Sequence, residues 1–204
     1  MAVACCGARP ERARAEAARL IASGAKGLVS FGLAGGLAPA AASGDLVVAD
    51  AVVLPEGARI ATDSAWRRQL LAALRAAGSS PHLAAVAGSD GLLTTVAAKR
   101  ALFEATGALA VDMESHAVAA AACASGRPFV VIRAVADRHD QALPGAAAVA
   151  LGPGGEVRLL ALTRALLGRP GDLPALLRLA HQSSRALAVL RRVVPLAGAG
   201  LGRA

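Results

Sequence analysis

Two carboxylates, Asp112 and Glu114, stand where a strand pattern gives way abruptly to a helix pattern. Residues 108–124 read ALAVDMESHAVAAAACA: an apolar run stops at Asp112, and an alanine-rich segment then continues without Gly or Pro as far as Gly126. Asp112 is a good helix N-cap, because its carboxylate can accept from the free amides of the first turn. Glu114 falls in that turn, where the helix dipole favours negative charge. On this stretch alone both read as helix-start residues. The same position, a carboxylate at the C-terminal edge of a sheet strand, is also where open α/β sheets bind ligands. His116, one helical turn on from Asp112, reads as structural. Gly32, Gly35 and Gly36 could cradle an anion, since glycine lets backbone amides approach a ligand closely. Their spacing fits neither the dinucleotide nor the Walker motif, and a plain tight connection explains them as well. Arg133, inside an apolar strand, suits either an anion or a structural ion pair.

The elements that must position these residues follow from periodicity and punctuation. Residues 2–6 suggest a short strand. Residues 9–23 (RPERARAEAARLIAS) suggest an amphipathic helix with Ala15, Ala18, Ile21 and Ala22 inward, ended by Gly24. Strands are expected over 27–31, 45–54, 83–87 and 128–135, and helices over 64–77 and 96–105. Residues 32–42 read as a glycine-rich turn, 56–63 and 88–93 as connections, and 136–141 (ADRHDQ) as the exit of the last strand. Strands alternating with helices argue for a layered α/β fold. Two further helices are expected over 156–167 and 172–194. In the second, Arg178, Arg185 and Arg192 recur every seven residues, with His181 and Arg191 nearby; Leu173, Leu176, Ala180, Leu187, Leu190 and Val194 form the opposing stripe. Such a helix suits either packing on the domain with a solvated basic face or contact with a membrane surface or acidic partner.

A chain of 204 residues with few aromatics (Trp66, Phe31, Phe103, Phe129 and no Tyr) builds its core from Ala, Leu and Val. Three cysteines, two of them adjacent, give no disulfide framework and suit a reducing cytosol. No Cys/His spacing suggests zinc, and neither a signal peptide nor a membrane span is expected. The net charge of +8 belongs mostly to the tail: residues 1–155 carry 14 basic against 12 acidic side chains, residues 156–204 carry 8 against 2. Scarce aromatics and the absence of a known motif argue against nucleic-acid binding.

Three pieces in this order and separation, SFGLAGGL (30–37), VDMES (111–115) and VIRAVAD (131–137), resemble the nucleoside phosphorylase and nucleosidase superfamily, over roughly residues 24–143. The longer matches SFGLAGGL, DMESH, a loop ending in ALP and the tail GRPGDLPALLRLA resemble one branch, the hopanoid-biosynthesis-associated phosphorylases. The resemblance implies splitting of the N-glycosidic bond of a purine nucleoside. That reaction develops positive charge on the sugar and negative charge on the base, so it calls for an acid at the base and a carboxylate at the sugar. By this resemblance Asp137 is the acid at N7, Glu114 grips the ribose hydroxyls, and Met113 lines the ribose. Gly32, Ala34 and Gly35 lie in the turn near ribose and nucleophile. Ser89, Leu92 and Leu93 lie in the loop that meets the base. The sequence departs from the family at Leu33 and Ala136, where Ser or Thr is common, and the strand and Gly/Glu-containing loop expected ahead of residues 2–6 are not in it: either the start is too late or part of the nucleophile site is lacking. No nucleophile-activating residue is therefore assigned.

The resemblance implies an α/β, three-layer phosphorylase/hydrolase-like fold, with a central mixed, mostly parallel sheet flanked by helices and lacking its first strand. Residues 1–155 form the nucleoside phosphorylase-like domain and 156–204 a C-terminal helical extension packed on it. The expected activity is release of adenine from a 5′-substituted adenosine, adenosylhopane, in hopanoid biosynthesis. The alternatives are a methylthioadenosine/S-adenosylhomocysteine nucleosidase or a non-catalytic nucleoside-binding subunit. No cofactor is expected, with inorganic phosphate as a candidate co-substrate. The expected partners are an adenine nucleoside, lipid-linked in the favoured reading, and other copies of the chain in a homo-oligomer. The expected location is the cytoplasm, with peripheral membrane contact through the basic helix.

Overall fold

The computed structural model describes residues 2–145, 147, 164 and 168–196. Its elements, in chain order, are α1 (Pro10–Ala22), β1 (Leu28–Gly36), β2 (Leu46–Val53), β3 (Arg59–Ala61), α2 (Ser64–Ala76), β4 (His82–Gly88), α3 (Val96–Thr106), β5 (Ala110–Asp112), α4 (Ser115–Ala124), β6 (Phe129–Asp137) and, after a 3-10 turn over Pro170–Asp172, α5 (Leu173–Leu196). The helix expected over 156–167 lies outside the described residues.

The sheet runs β3-β2-β4-β5-β1-β6, and β2 also pairs with β6. Its two longest ladders, β1–β6 and β2–β4, are parallel, whereas β1–β5, β2–β3 and β2–β6 are antiparallel. This is the expected mixed sheet flanked by helices, curled until its first long strand meets its last. All nine residues of β6 are buried, as a strand covered on both faces requires. One core groups Leu28, Ala34, Val131 and Val135 with Ala119 and Ala122 of α4. A second groups Leu70 and Leu74 of α2 with Ile132, Ala134 and, from α5, Ala186, Leu190 and Val193.

Several sequence expectations need correction. Residues 2–6 form no strand. Gly32–Gly36 is not a turn but the end of β1, because these residues pair with both β5 and β6. Residues 59–61, expected as loop, pair with β2. In α1 the buried alanines are Ala13 and Ala17, while Ala15 and Ala18 are exposed. The helix packs on α4 along the row that Leu20 and Ile21 continue. In α5 the inner row is Leu176, Leu179, Ala186, Leu190 and Val193; Leu173, Ala180, Leu187 and Val194 face outward. Packing against β6 turns the helix so that Ala186 and Val193 are covered in place of Leu187 and Val194.

Candidate active site

Asp137 ends β6. The β1–β6 register runs Ala34↔Val135 and then Gly35↔Asp137, so Ala136 is an extra residue. Such a bulge re-aims the residue beyond it. The Asp137 carboxylate lies over Gly35: a Cβ there would stand 3.5 Å from Oδ1. Burial pushes the Asp137 carboxyl above the usual carboxylate range, opposed by the charge and hydrogen bond of Lys99. Lys99, in the first turn of α3 and 1% exposed, donates to Asp137 Oδ2, to the Arg138 carbonyl at 2.8 Å and to the Gln141 carbonyl at 2.9 Å.

Glu114 follows β5 and immediately precedes α4. Its Oε1 accepts from the Ala8 backbone amide at 2.8 Å, and its Oε2 accepts from Arg133 Nη1 at 3.3 Å. Asp112 holds the turn that carries it, accepting from the amides of Glu114 at 2.8 Å and Ser115 at 2.7 Å. The helix starts later than expected: Glu114, not Asp112, is the N-cap of α4, and its side chain makes no capping bond. Asp112 instead holds the turn ahead of the helix, and its carboxylate has a second task. Asp112 Oδ2 stands 2.7 Å from Arg133 Nε. Arg133, also 1% exposed, donates as well to Ser30 Oγ at 2.6 Å and Ser115 Oγ at 3.0 Å. Its guanidinium occupies the space beside Gly32, where a Cβ would meet Nη1 at 2.4 Å. A side chain there would push the guanidinium off its partners, and of the two roles open to Arg133 the ion pair is the one observed.

The two acids meet the same strand. Val111, three residues before Glu114, pairs with Gly35, and Asp137 pairs with Gly35 from the other side. Arg133 pairs with Gly32 and reaches Glu114. Asp137 thus lies over Gly35, and Glu114 is tied to the same strand through Arg133; the pocket described below is lined by Asp137 and not by Glu114. Ala34 contributes only a methyl to the core. Met113 is half-buried beside Glu114. Ser89, after β4, donates its amide to the Asp112 carbonyl at 2.9 Å and its hydroxyl to the Gly91 carbonyl at 2.6 Å. Leu92 is exposed and Leu93 packs against the core. His116 is buried against Gly88 and holds Asp90 of this loop at 3.1 Å. The Leu143 amide donates to the Thr94 carbonyl at 2.9 Å, tying the loop after β6 to the loop after β4. A pocket of about 200 Å³ opens beside Asp137, walled by Gln141, Leu143 and Pro144 and, from α5, Arg178, Leu179 and Gln182.

Residues 1–152 match the profile of the phosphorylase superfamily. The chain belongs to that superfamily. The solved structures similar to this phosphorylase superfamily member include the 5′-methylthioadenosine/S-adenosylhomocysteine nucleosidase of Campylobacter jejuni, at 21% identity over 77% of this chain and 73% of that one, TM-score 0.62. The futalosine hydrolase of Helicobacter pylori is 19% identical over 91% of this chain and 76% of that one, TM-score 0.61. The S-adenosylhomocysteine nucleosidase of Streptococcus pyogenes, solved with 5-methylthiotubericidin, is 20% identical over 91% and 74%, TM-score 0.63. These likenesses establish a shared fold. No curated protein matches. Superfamily membership makes the chain an enzyme of the phosphorylase or nucleosidase type.

Sequence reasoning missed Lys99. Its position held a usable signal: it lies three and four residues before Leu102 and Phe103, on the inward side of α3. A lysine on an inward helical face needs a buried acid.

Proposed function

We propose that this chain cleaves the N-glycosidic bond of a 5′-substituted adenosine and releases adenine, with adenosylhopane as the substrate. The observation that carries the reading is Asp137, a buried carboxyl of raised proton affinity set against Gly35 of the strand to which Arg133 ties Glu114. In this reading the C1′–N9 bond breaks with its electron pair going to the purine. The Asp137 proton passes to N7. Glu114 engages the ribose hydroxyls and supports the cationic sugar. Before it does so, an oxygen must leave the Ala8 amide or accept a second partner. Attack of water at C1′ yields the free sugar; attack of inorganic phosphate yields the sugar 1-phosphate. No cofactor enters the scheme.

Chromatography of products from adenosylhopane, with and without phosphate, tests both points. The expected result is free adenine, released faster from adenosylhopane than from 5′-methylthioadenosine. Faster release from the thionucleoside would support the second reading, the one carried by the names of the solved neighbours. No adenine from either, at any enzyme concentration, would end both.

The lipid reading draws support from α5. Leu173, Leu177, Leu187 and Val194 are exposed, and Arg178, Arg185 and Arg192 accompany them on the outward side. Apolar side chains flanked by arginines suit an anionic membrane surface. Among the described residues no helix is long and apolar enough to cross a membrane. The expected outcome is salt-sensitive co-sedimentation with phosphatidylglycerol vesicles and none with phosphatidylcholine. The combined substitution Leu177→Ser, Leu187→Ser, Arg185→Gln should abolish pelleting without unfolding, since all three side chains face outward. Equal pelleting of both forms counts against surface binding. Deleting α5 is the poorer test, because Ala186, Leu190 and Val193 cover the sheet.

A further inference from the structure

We propose that Lys99 is a positioning residue for the reaction, binding the acid and the backbone of the loop beyond it as one unit and supplying the charge against which the acid gives up its proton. The inference rests on Asp137 being that acid. An ammonium has three donors and no acceptor, and all three donors of Lys99 are used: on Asp137 Oδ2, on the Arg138 carbonyl and on the Gln141 carbonyl. Two of the three acceptors are backbone atoms of the loop that begins at Asp137. One side chain on α3 therefore holds both the carboxyl and the chain that carries it. The loop is secured from the other side as well. Gln141 Oε1 accepts from the Arg138 amide at 3.1 Å and from Gln182 Nε2 of α5 at 3.0 Å.

Burying an ammonium is costly, and an apolar side chain of similar size commonly stabilises a core as well or better. Retention of Lys99 at 1% exposure is thus better explained by what its charge does. As the proton passes from Asp137 to N7 and the C1′–N9 pair moves into the purine, a carboxylate is left facing the ammonium. That attraction grows along the reaction, which is the condition for lowering a barrier rather than merely tightening binding. The other charged or titratable groups of the elements around Asp137 are Arg138, His139 and Asp140 of the loop, Arg178 of α5, and, toward β1, Arg133 with its partner Glu114. Arg138 and Asp140 pair with each other at 2.9 Å at the surface. Lys99 alone among them is hydrogen-bonded to the carboxyl in this structure.

The test compares kcat–pH profiles of the unaltered chain, Lys99→Met and Lys99→Arg, by adenine release from 5′-methylthioadenosine or adenosylhopane, whichever the unaltered chain cleaves. The acid works protonated, so activity falls as pH rises through its pKa. Burial raises that pKa and Lys99 lowers it. Removing the ammonium should move the alkaline limb to higher pH by about one unit or more and lower the plateau by about 10²-fold. Lys99→Arg keeps the charge, but its planar fork does not match three tetrahedral directions. Its limb should stay in place while its plateau falls. A folded Lys99→Met with an unmoved limb overturns the proposal. If thermal melting shows that Lys99→Met does not fold, Lys99→Arg decides: a plateau equal to the unaltered chain's, or a displaced limb, overturns it. Adenine release from the unaltered chain separates this failure from failure of the reading beneath it, since a silent unaltered chain overturns both.

Discussion

Asp137→Asn is expected to lower kcat for adenine release by about 10²–10⁴-fold, the range a positioned general acid supplies. The amide keeps the shape over Gly35 and can still accept from Lys99, so the loop should stay in place, but it has no proton to give. The loss should depend on the leaving group. A riboside of 4-nitrophenol, whose anion leaves without protonation, should be cleaved nearly as well by the variant as by the unaltered chain. If both substrates are lost equally, Asp137 matters to the architecture and not to proton transfer. The variant also leaves the buried ammonium of Lys99 without its counter-charge, so some stability should be lost, and melting curves must accompany the rates.

Arg133→Met is expected to have the largest effect on the fold. Arg133 satisfies Asp112, Glu114, Ser30 and Ser115 at once, and two of these are carboxylates within or beside the sheet. Removing the cation leaves Asp112, 6% exposed, as a buried charge without its ion-pair partner. Breaking such a pair from one side costs about 3–5 kcal/mol, on the order of 10 °C in melting midpoint for a chain of this size. Differential scanning calorimetry measures it. A midpoint within 2 °C or so of the unaltered chain would show that water reaches Asp112 and that the network contributes little. Arg133→Lys should recover only part of the loss, because an ammonium cannot repeat the fork that spans Asp112 and Glu114.

The parts of this site legible in the sequence were those written as contiguous motifs. VDMES sets Asp112 and Glu114 at one strand–helix junction, and VIRAVAD sets Asp137 at the end of a buried strand. The glycines of SFGLAGGL were visible, but their task was misread. They do not form a turn; Gly32 leaves room on β1 for an arginine and Gly36 for the Asp137 backbone carbonyl, which a Cβ would meet at 2.9 Å. No local pattern could show that, because the groups filling the space come from β6, about a hundred residues downstream. The bulge at Ala136 was hidden for the same reason, being a property of the β1–β6 register. Lys99 joins Asp137 across 38 residues, a separation that no contiguous motif spans. In α5 the sequence suggested one apolar stripe, of which only Leu176 and Leu190 face inward. The orientation of the helix rests on Ala186, Leu190 and Val193, which fit against β6 where the larger exposed Leu187 does not lie.

The antiparallel pairing of β2 with β6 has a consequence for how the protein behaves at high concentration. It joins β2, β4, β5, β1 and β6 into a ring in which each strand has a neighbour on both sides. Among the described strands only three-residue β3 is left with one neighbour. The ring is completed by three-residue β5, which joins Gly35–Gly36 of β1 to Val86–Gly88 of β4, so strand addition has less purchase there than on an open sheet edge.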